Sequence, residues 1–281
     1  MRSLSGVTEC GPGRPVAEKD LAMQVLVTGT SSGLGRALHR AFGASAFERA
    51  GGARELARCA TVTWDLIVHC ATDARKDVPA AELEAYHDSH VELTRRLLDL
   101  PHRHFVFVSS HAVYPTDERA WREDDPLRAD DRLSLYGAFK LLTERVVVNR
   151  ATRPLILRTS SLVGPEGRPN NIMRILRREP GGVVLSAECP YNLIAYTQID
   201  AFVRESIERR RTGIFNLGAA DTRTLGEIAR HLGVDVTFGD VRYTAPRADL
   251  SAVHELSRLF DRTTLEVADL VARQMANAPP G

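Results

Sequence analysis

Tyr136 and Lys140 stand four residues apart in the stretch YGAFK. On a helix that spacing puts both side chains on one face. An ammonium beside a phenol favours the phenolate, so Lys140 is expected to lower the Tyr136 pKa. The phenol could then exchange a proton with a carbonyl or hydroxyl near neutral pH. Ser110, 26 residues earlier, closes the apolar run HFVFVS with Ser109. A hydroxyl beyond the carboxyl end of a parallel strand can hold the reacting oxygen. Taken alone, YxxxK is a common surface pair, and serine at a strand end more often caps a turn.

A second constellation is built for an anion. Gly29, Ser31, Ser32, Gly33, Leu34, Gly35 and Arg36 lie in TGTSSGLGR, between an apolar strand and an amphipathic helix. Glycines let the backbone turn tightly and approach a pyrophosphate, and the helix N-terminus supplies free N–H groups. A glycine-rich turn without a ligand is the plainer alternative. Arg36 and Arg49 favour a 2′-phosphate, hence NADP over NAD, and Glu48 is the nearest carboxylate for an adenosine ribose.

Elements that could position these residues follow in order. MQVLVT (23–28), DLIVHC (65–70), HFVFVS (104–109) and LILRT (155–159) are short apolar runs of the buried parallel type. Helical patterns occupy 33–42, 80–99 and 134–148. Strands alternating with helices predict an α/β, Rossmann-like doubly wound parallel sheet. After a loop at 164–170, short helices are expected at 171–178, 224–232 and 251–260, with strands at 183–185 and 214–217. The expected organisation is a flexible tail over 1–22, a dinucleotide-binding region over 23–163, and a substrate-binding lobe over 164–281 folded back on the sheet.

Composition narrows the classes further. With 281 residues and 43% hydrophobic content the chain can bury a large core. Its 37 basic and 36 acidic side chains leave a formal charge of +1, which gives no drive toward nucleic acid or an anionic membrane. No apolar run reaches the ~18 residues a bilayer span needs. Residues 1–20 lack the apolar core of a signal peptide, and Met23 is an alternative start. The four cysteines show neither CxxC pairing nor metal-ligand spacing. Free thiols, a cytoplasmic location and no metal are therefore expected.

The order and spacing of TGTSSGLG (28–35), DLIVHCA (65–71), FVFVSSHAVY (105–114), YGAFK (136–140), LILRTSSLVGP (155–165) and GIFNLG (213–218) resemble the extended short-chain dehydrogenase/reductase family, also called the NAD-dependent epimerase/dehydratase family. The resemblance spans roughly residues 23–260. It implies that Tyr136 is the acid/base, that Lys140 tunes it and holds the nicotinamide ribose, and that Ser110 binds the substrate oxygen. It adds Ala71 and Thr72 to the cofactor contacts. It places His111, Ser161, Asn171, Arg174 and Arg247 on the substrate side, the last three against a nucleotide diphosphate.

Departures from the family pattern sharpen these expectations. The glycine spacing is that of the single-domain branch. Only 41 residues separate Thr28 from His69, too few for two further strand–helix units at roughly 30 residues each, so one unit should be lost or rudimentary. His90 stands where the family has asparagine, either packing or joining a proton relay. His111-Ala112 replaces the Asp-Glu of 4,6-dehydratases, Ser161 replaces an epimerase asparagine, and Asn192 or Leu193 replaces an arginine. The expected activity is an NAD(P)-dependent reductase or epimerase at a secondary alcohol or ketone, with a small-molecule substrate such as a nucleotide-diphosphate sugar. A carbonyl reductase for a non-sugar metabolite and a non-catalytic protein of the same fold are the alternatives. A homodimer is compatible with all three.

Overall fold

The computed structural model describes residues 23–127 and 133–277; the tail expected over 1–22 lies outside them. Chain order begins β1 (Val25–Thr28), α1 (Gly33–Phe42), β2 (Ser45–Phe47), α2 (Gly52–Ala60) and β3 (Trp64–His69). Next come α3 (Leu83–His87), a π-helical turn at Asp88–Glu92, α4 (Leu93–Leu98), β4 (His102–Ser110), β5 (Ala120–Trp121), α5 (Leu135–Arg150) and β6 (Pro154–Thr159). The remainder holds β7 (Ser161–Val163), α6 (Asn171–Leu176), β8 (Val183–Leu185), β9 (Pro190–Tyr191), β10 (Leu193–Ala195) and α7 (Tyr196–Glu208). It closes with β11 (Gly213–Leu217), β12 (Arg223–Thr224), α8 (Leu225–His231), β13 (Phe238–Val241), β14 (Arg247–Ala248), α9 (Ser251–Leu256) and α10 (Thr264–Ala276).

Six strands form one parallel sheet in the order β11-β6-β4-β3-β1-β2. The apolar runs sort as their sequence demands. Val25, Val27, Leu66, Val68, Val106 and Val108 pack on one face, while Leu26, Ile67, Phe105, Phe107 and Ile156 pack on the other. Alternate residues of a strand point to opposite faces, so both faces need apolar side chains and the runs read as continuous. Each fully buried side chain of this size contributes about 1.5–3 kcal/mol. A separate core of Ile172, Met173, Leu193, Leu225, Ile228 and Val267 lies wholly within residues 163–275.

The short interval before β3 has the predicted outcome. A doubly wound sheet commonly runs 3-2-1-4-5-6, with two strands outside the first. Here a single strand, the three-residue β2, lies outside β1. Helices over 196–208 and 264–276 were not anticipated, and the helix expected over 251–260 stops at Leu256, its last turn becoming a 3-10 turn at Arg258–Phe260. No described helix is long and apolar enough to cross a membrane.

β4, α5 and β6 are locked by a buried ion pair. Arg158 Nη2 lies 2.7 Å from Glu144 Oε2, with side chains 3% and 2% exposed. Ser109 Oγ also donates to Glu144, and Arg158 Nη1 donates to the Tyr114 hydroxyl at 2.7 Å. Removing one partner strands a charge in a dry interior. We expect Arg158→Ala to lower unfolding free energy by about 3–5 kcal/mol in chemical denaturation. A loss below ~1 kcal/mol would show that the pair is not a keystone of the sheet.

Candidate active site

The glycine turn is shaped by contacts that exclude side chains. Gly29 has φ of 75°, and a Cβ there would lie 3.0 Å from the Ala71 nitrogen. A Cβ on Gly35 would lie 2.3 Å from the Gly29 carbonyl oxygen. These glycines bring β1, α1 and the end of β3 to backbone contact distance. Ser32 is the N-cap of α1 but accepts no hydrogen bond from it, and the first turn holds no acidic residue. The first-turn N–H groups beyond Gly33 and the positive dipole end suit a pyrophosphate. The Gly33 N–H donates to the Glu166 carbonyl at 2.8 Å, so the 164–170 loop touches this turn directly.

Two arginines flank the turn. Arg36 folds back on the Ser31 carbonyl, and Arg168 Nε donates to Ser32 Oγ at 2.7 Å. Arg168 was not singled out from the sequence, since its partner lies 136 residues away. Glu48 follows the carboxyl end of β2, where a ribose-binding carboxylate belongs. Leu34 is buried under the turn, and Ala71 and Thr72 continue from β3. These residues fit a dinucleotide with a shortened adenosine side.

The second cluster lies at the carboxyl ends of β4 and β6. Ser110 is close enough to the Tyr136 phenol to oppose the upward shift of its pKa, and Ser110 Oγ accepts the Ala112 N–H at 3.2 Å. Ser134 caps α5 through the Gly137 N–H at 3.1 Å. Gly137 is obligatory there, since a Cβ would lie 1.9 Å from the Ala112 carbonyl oxygen. That close approach brings the start of α5 against the turn after Ser110.

Lys140 departs from its expected role toward the phenol. Its Nζ donates to the Val108 carbonyl at 2.7 Å and lies 5.6 Å from the Tyr136 ring centre. Burial brings the Lys140 pKa down to about 7, with Cys70 and Glu144 opposing. Burial and the neighbouring Tyr86 raise the Tyr136 phenol, while Ser110 acts the other way. Lys140 is not among the groups that shift the Tyr136 phenol, where burial dominates.

His90 is fully buried on the π-helical turn. Its Nε2 lies 2.9 Å from the Asp73 carbonyl, Nδ1 has no partner, and its ring centre is 6.2 Å from that of Tyr136. Burial lowers its pKa to about 4. Deeper, His69 Nδ1 lies 2.8 Å from Thr28 Oγ1, and its Nε2 lies 2.9 Å from Thr94 Oγ1. Thr28 Oγ1 already accepts the Cys70 and Ala71 N–H groups, and Thr94 donates to the His90 carbonyl. Thr28 therefore donates to Nδ1, and the Nε2–H of a neutral His69 donates to Thr94.

A cavity of about 840 Å³ opens beside Ser110. Its lining includes His111, Ser161, Arg247, Ser160, Asp221 and His254. His111, Ser161 and Arg247 are expected from the sequence; Ser160, Asp221 and His254 reach the cavity from positions that no motif marks. Asn171 and Arg174 are not in this lining: Asn171 accepts the Val184 N–H at 3.2 Å, and Arg174 lies 3.7 Å from Glu179. The structure thus does not gather the three expected diphosphate contacts. Arg247 Nη1 donates to the Glu118 carbonyl at 3.2 Å.

Comparison with known proteins agrees with this geometry. Residues 25–179 match the model of the NAD-dependent epimerase/dehydratase family. The fold is similar to dTDP-4-dehydrorhamnose reductase from Bacillus anthracis in complex with NADP: 16% identity, TM-score 0.77, covering 89% of this chain and 99% of that one. It is also similar to MoeE5 in complex with UDP-glucose and NAD, at 20% identity, TM-score 0.73, and 90% and 98% coverage. UDP-N-acetylglucosamine 4-epimerase from Methanobrevibacter ruminantium has 18% identity, TM-score 0.68, and 90% and 98% coverage. No curated protein matches the chain.

The Lys140 environment has a pH signature. Its pKa falls from 10.5 when unfolded to about 7 when folded. Between these values the unfolded chain binds the extra proton, so this group makes stability rise with pH across that window. Lys140→Met should flatten the rise when urea unfolding is compared at pH 7 and pH 9. An unchanged slope would mean that Lys140 stays charged in the fold.

Proposed function

The chain belongs to the NAD-dependent epimerase/dehydratase family, and on that premise we propose a reductase or epimerase acting at a secondary alcohol or ketone of a nucleotide-activated sugar. As a member it is an NAD(P)-dependent enzyme. The observation that carries the finer reading is the placement of Ser110 next to the Tyr136 phenol and in the wall of a cavity at the strand ends. In this reading Gly29, Ser31–Arg36, Ala71, Thr72 and Lys140 hold the cofactor, with Arg36 favouring NADP. When bound, the nicotinamide supplies or accepts the hydride.

The chain's own residues handle the proton and the orientation. Ser110 fixes the reacting oxygen, and Tyr136 gives it a proton in the reductive direction or takes one in the oxidative direction. Lys140 holds the nicotinamide ribose; its nearly balanced protonation near pH 7 suits it to pass a proton to and from the phenol. Residues 164–281 act as the substrate lobe and supply Arg247, and Ser161 joins the site from β7. The protein works in the cytoplasm; the described cysteines Cys59, Cys70 and Cys189 are all free.

A second reading has one observation in its favour. Among the described lining residues, Arg247 is the lone arginine or lysine, a sparse provision for a diphosphate. That favours a carbonyl reductase for a non-sugar metabolite.

Tyr136→Phe keeps the ring and removes the proton donor. We expect turnover to fall by on the order of 10²-fold or more while cofactor Kd barely moves. Ser110→Ala should lower rate without changing cofactor Kd, and Lys140→Ala should damage both. Steady-state kinetics with calorimetric NADPH binding separates these cases. Near-normal turnover by Tyr136→Phe would refute the mechanism.

A further inference from the structure

The loop over 164–170 lies across the glycine turn as a strap. The Gly33 N–H donates to the Glu166 carbonyl at 2.8 Å, Arg40 Nη1 lies 3.4 Å from Glu166 Oε1, and Arg168 Nε donates to Ser32 Oγ at 2.7 Å. Within the loop, the Gly167 N–H closes on the Gly164 carbonyl at 2.9 Å, and Arg177 donates to the Pro165 and Gly167 carbonyls. Tyr196 is wedged beneath both segments. A Cβ on Gly33 would lie 3.4 Å from its hydroxyl, and one on Gly164 would lie 2.3 Å from its ring. The shape of the strap is thus set from behind, and the exposed Arg168 is presented to the start of α1.

That placement runs against the helix dipole. The amino end of a helix carries partial positive charge, which favours anions and disfavours cations. Yet Arg36 rests on the Ser31 carbonyl and Arg168 on the Ser32 hydroxyl, and the first turn of α1 holds no acidic residue. Among the described residues neither arginine forms an ion pair; Glu166, the only carboxylate of the strap, is engaged by Arg40. Two unneutralised guanidinium groups beside the first-turn N–H groups match a doubly charged anion. A guanidinium fork suits phosphate oxygens, and with Nε on Ser32 the Arg168 Nη groups are left to grip one.

We propose that Arg168 grips the pyrophosphate of the dinucleotide together with the amino end of α1, so that the cofactor fastens the strap over the glycine turn. The proposal rests on the dinucleotide reading of that turn and adds a contact from beyond residue 163. Arg168 binds and positions; it takes no part in proton transfer. The strap runs directly into α6, where Asn170 Oδ1 accepts the Met173 N–H at 2.9 Å as N-cap. A cofactor held by Arg168 therefore steadies the entry to the substrate lobe.

Calorimetric titration of NADPH and NADH into wild type and Arg168→Ala tests this. Both dissociation constants should rise about 10- to 100-fold in the variant, the worth of a hydrogen bond to a charged group. Arg168→Lys, which keeps the charge without the fork, should fall between. The side chain is exposed, so the melting temperature of the unliganded variant should be unchanged. Amide hydrogen exchange over 164–170 should slow when NADPH binds wild type and should not slow in Arg168→Ala. Unchanged dissociation constants, or strap protection that persists in Arg168→Ala, would overturn the proposal. A loss confined to NADPH would also overturn it, by putting Arg168 on the 2′-phosphate. Where wild type binds just one dinucleotide, competition by ADP and by 2′-AMP makes the same distinction. Failure of wild type to bind either dinucleotide would overturn the cofactor reading itself, and this proposal with it.

Discussion

The Glu144–Arg158 pair is the constraint around which the rest is arranged. It joins α5 to β6 beneath the strand ends that carry Ser110 and Ser160. Its reach extends outward through Tyr114, whose hydroxyl donates to Asn216 Oδ1 at 2.8 Å. Asn216 Nδ2 in turn donates to the Trp121 and Asp249 carbonyls, each at 3.1 Å. One buried polar network therefore fixes β4, α5, β6 and β11 together with the 120s strand and the segment entering α9. Such a network is unforgiving, because every unsatisfied member would bear the cost of burial in a low dielectric. Its merit is placement: the start of α5 and the end of β4 cannot drift independently, so Tyr136 and Ser110 stay side by side.

A second, finer chain runs beneath the glycine turn. Thr28, His69, Thr94 and the His90 carbonyl form an unbroken donor–acceptor sequence from β1 to the π-helical turn. Thr94 sits one turn after His90, so its hydroxyl reaches back to the carbonyl four residues before it. Burial drives the His69 pKa down to about 3, so the ring is a neutral spacer with both nitrogens used. The floor of the cofactor side and the wall holding His90 thus move as one body.

The residue types that make strands were plain in the sequence. β1, β3, β4 and β6 are apolar runs because both sheet faces are covered, and α1 matches its expected span of 33–42. The shortfall of chain between Thr28 and His69 correctly foretold a sheet with one strand fewer outside β1. What escaped was decided by partners distant in sequence. The helix over 264–276 carried a readable signal, the Thr263–Glu266 capping box, which went unused. Asn171 and Arg174 have the right types for a phosphate but are held by Val184 and Glu179. The state of the Lys140 ammonium depends on burial, which is not visible in local spacing.

The missing outer strand leaves β2 as a sheet edge, and α2 finishes that edge. Arg58 Nη2 donates to the Ala46 carbonyl at 3.2 Å, and Glu55 Oε1 accepts the Glu48 N–H at 3.2 Å. The two side chains are themselves paired, at 2.6 Å. Side chains of one helix thereby stand in for backbone groups of an absent strand. An exposed sheet edge is a template for pairing with a second chain, and natural proteins blunt it with charge and brevity. Here the contraction of the adenosine half is compatible with solubility because the edge it uncovers is three residues long and closed by an ion pair.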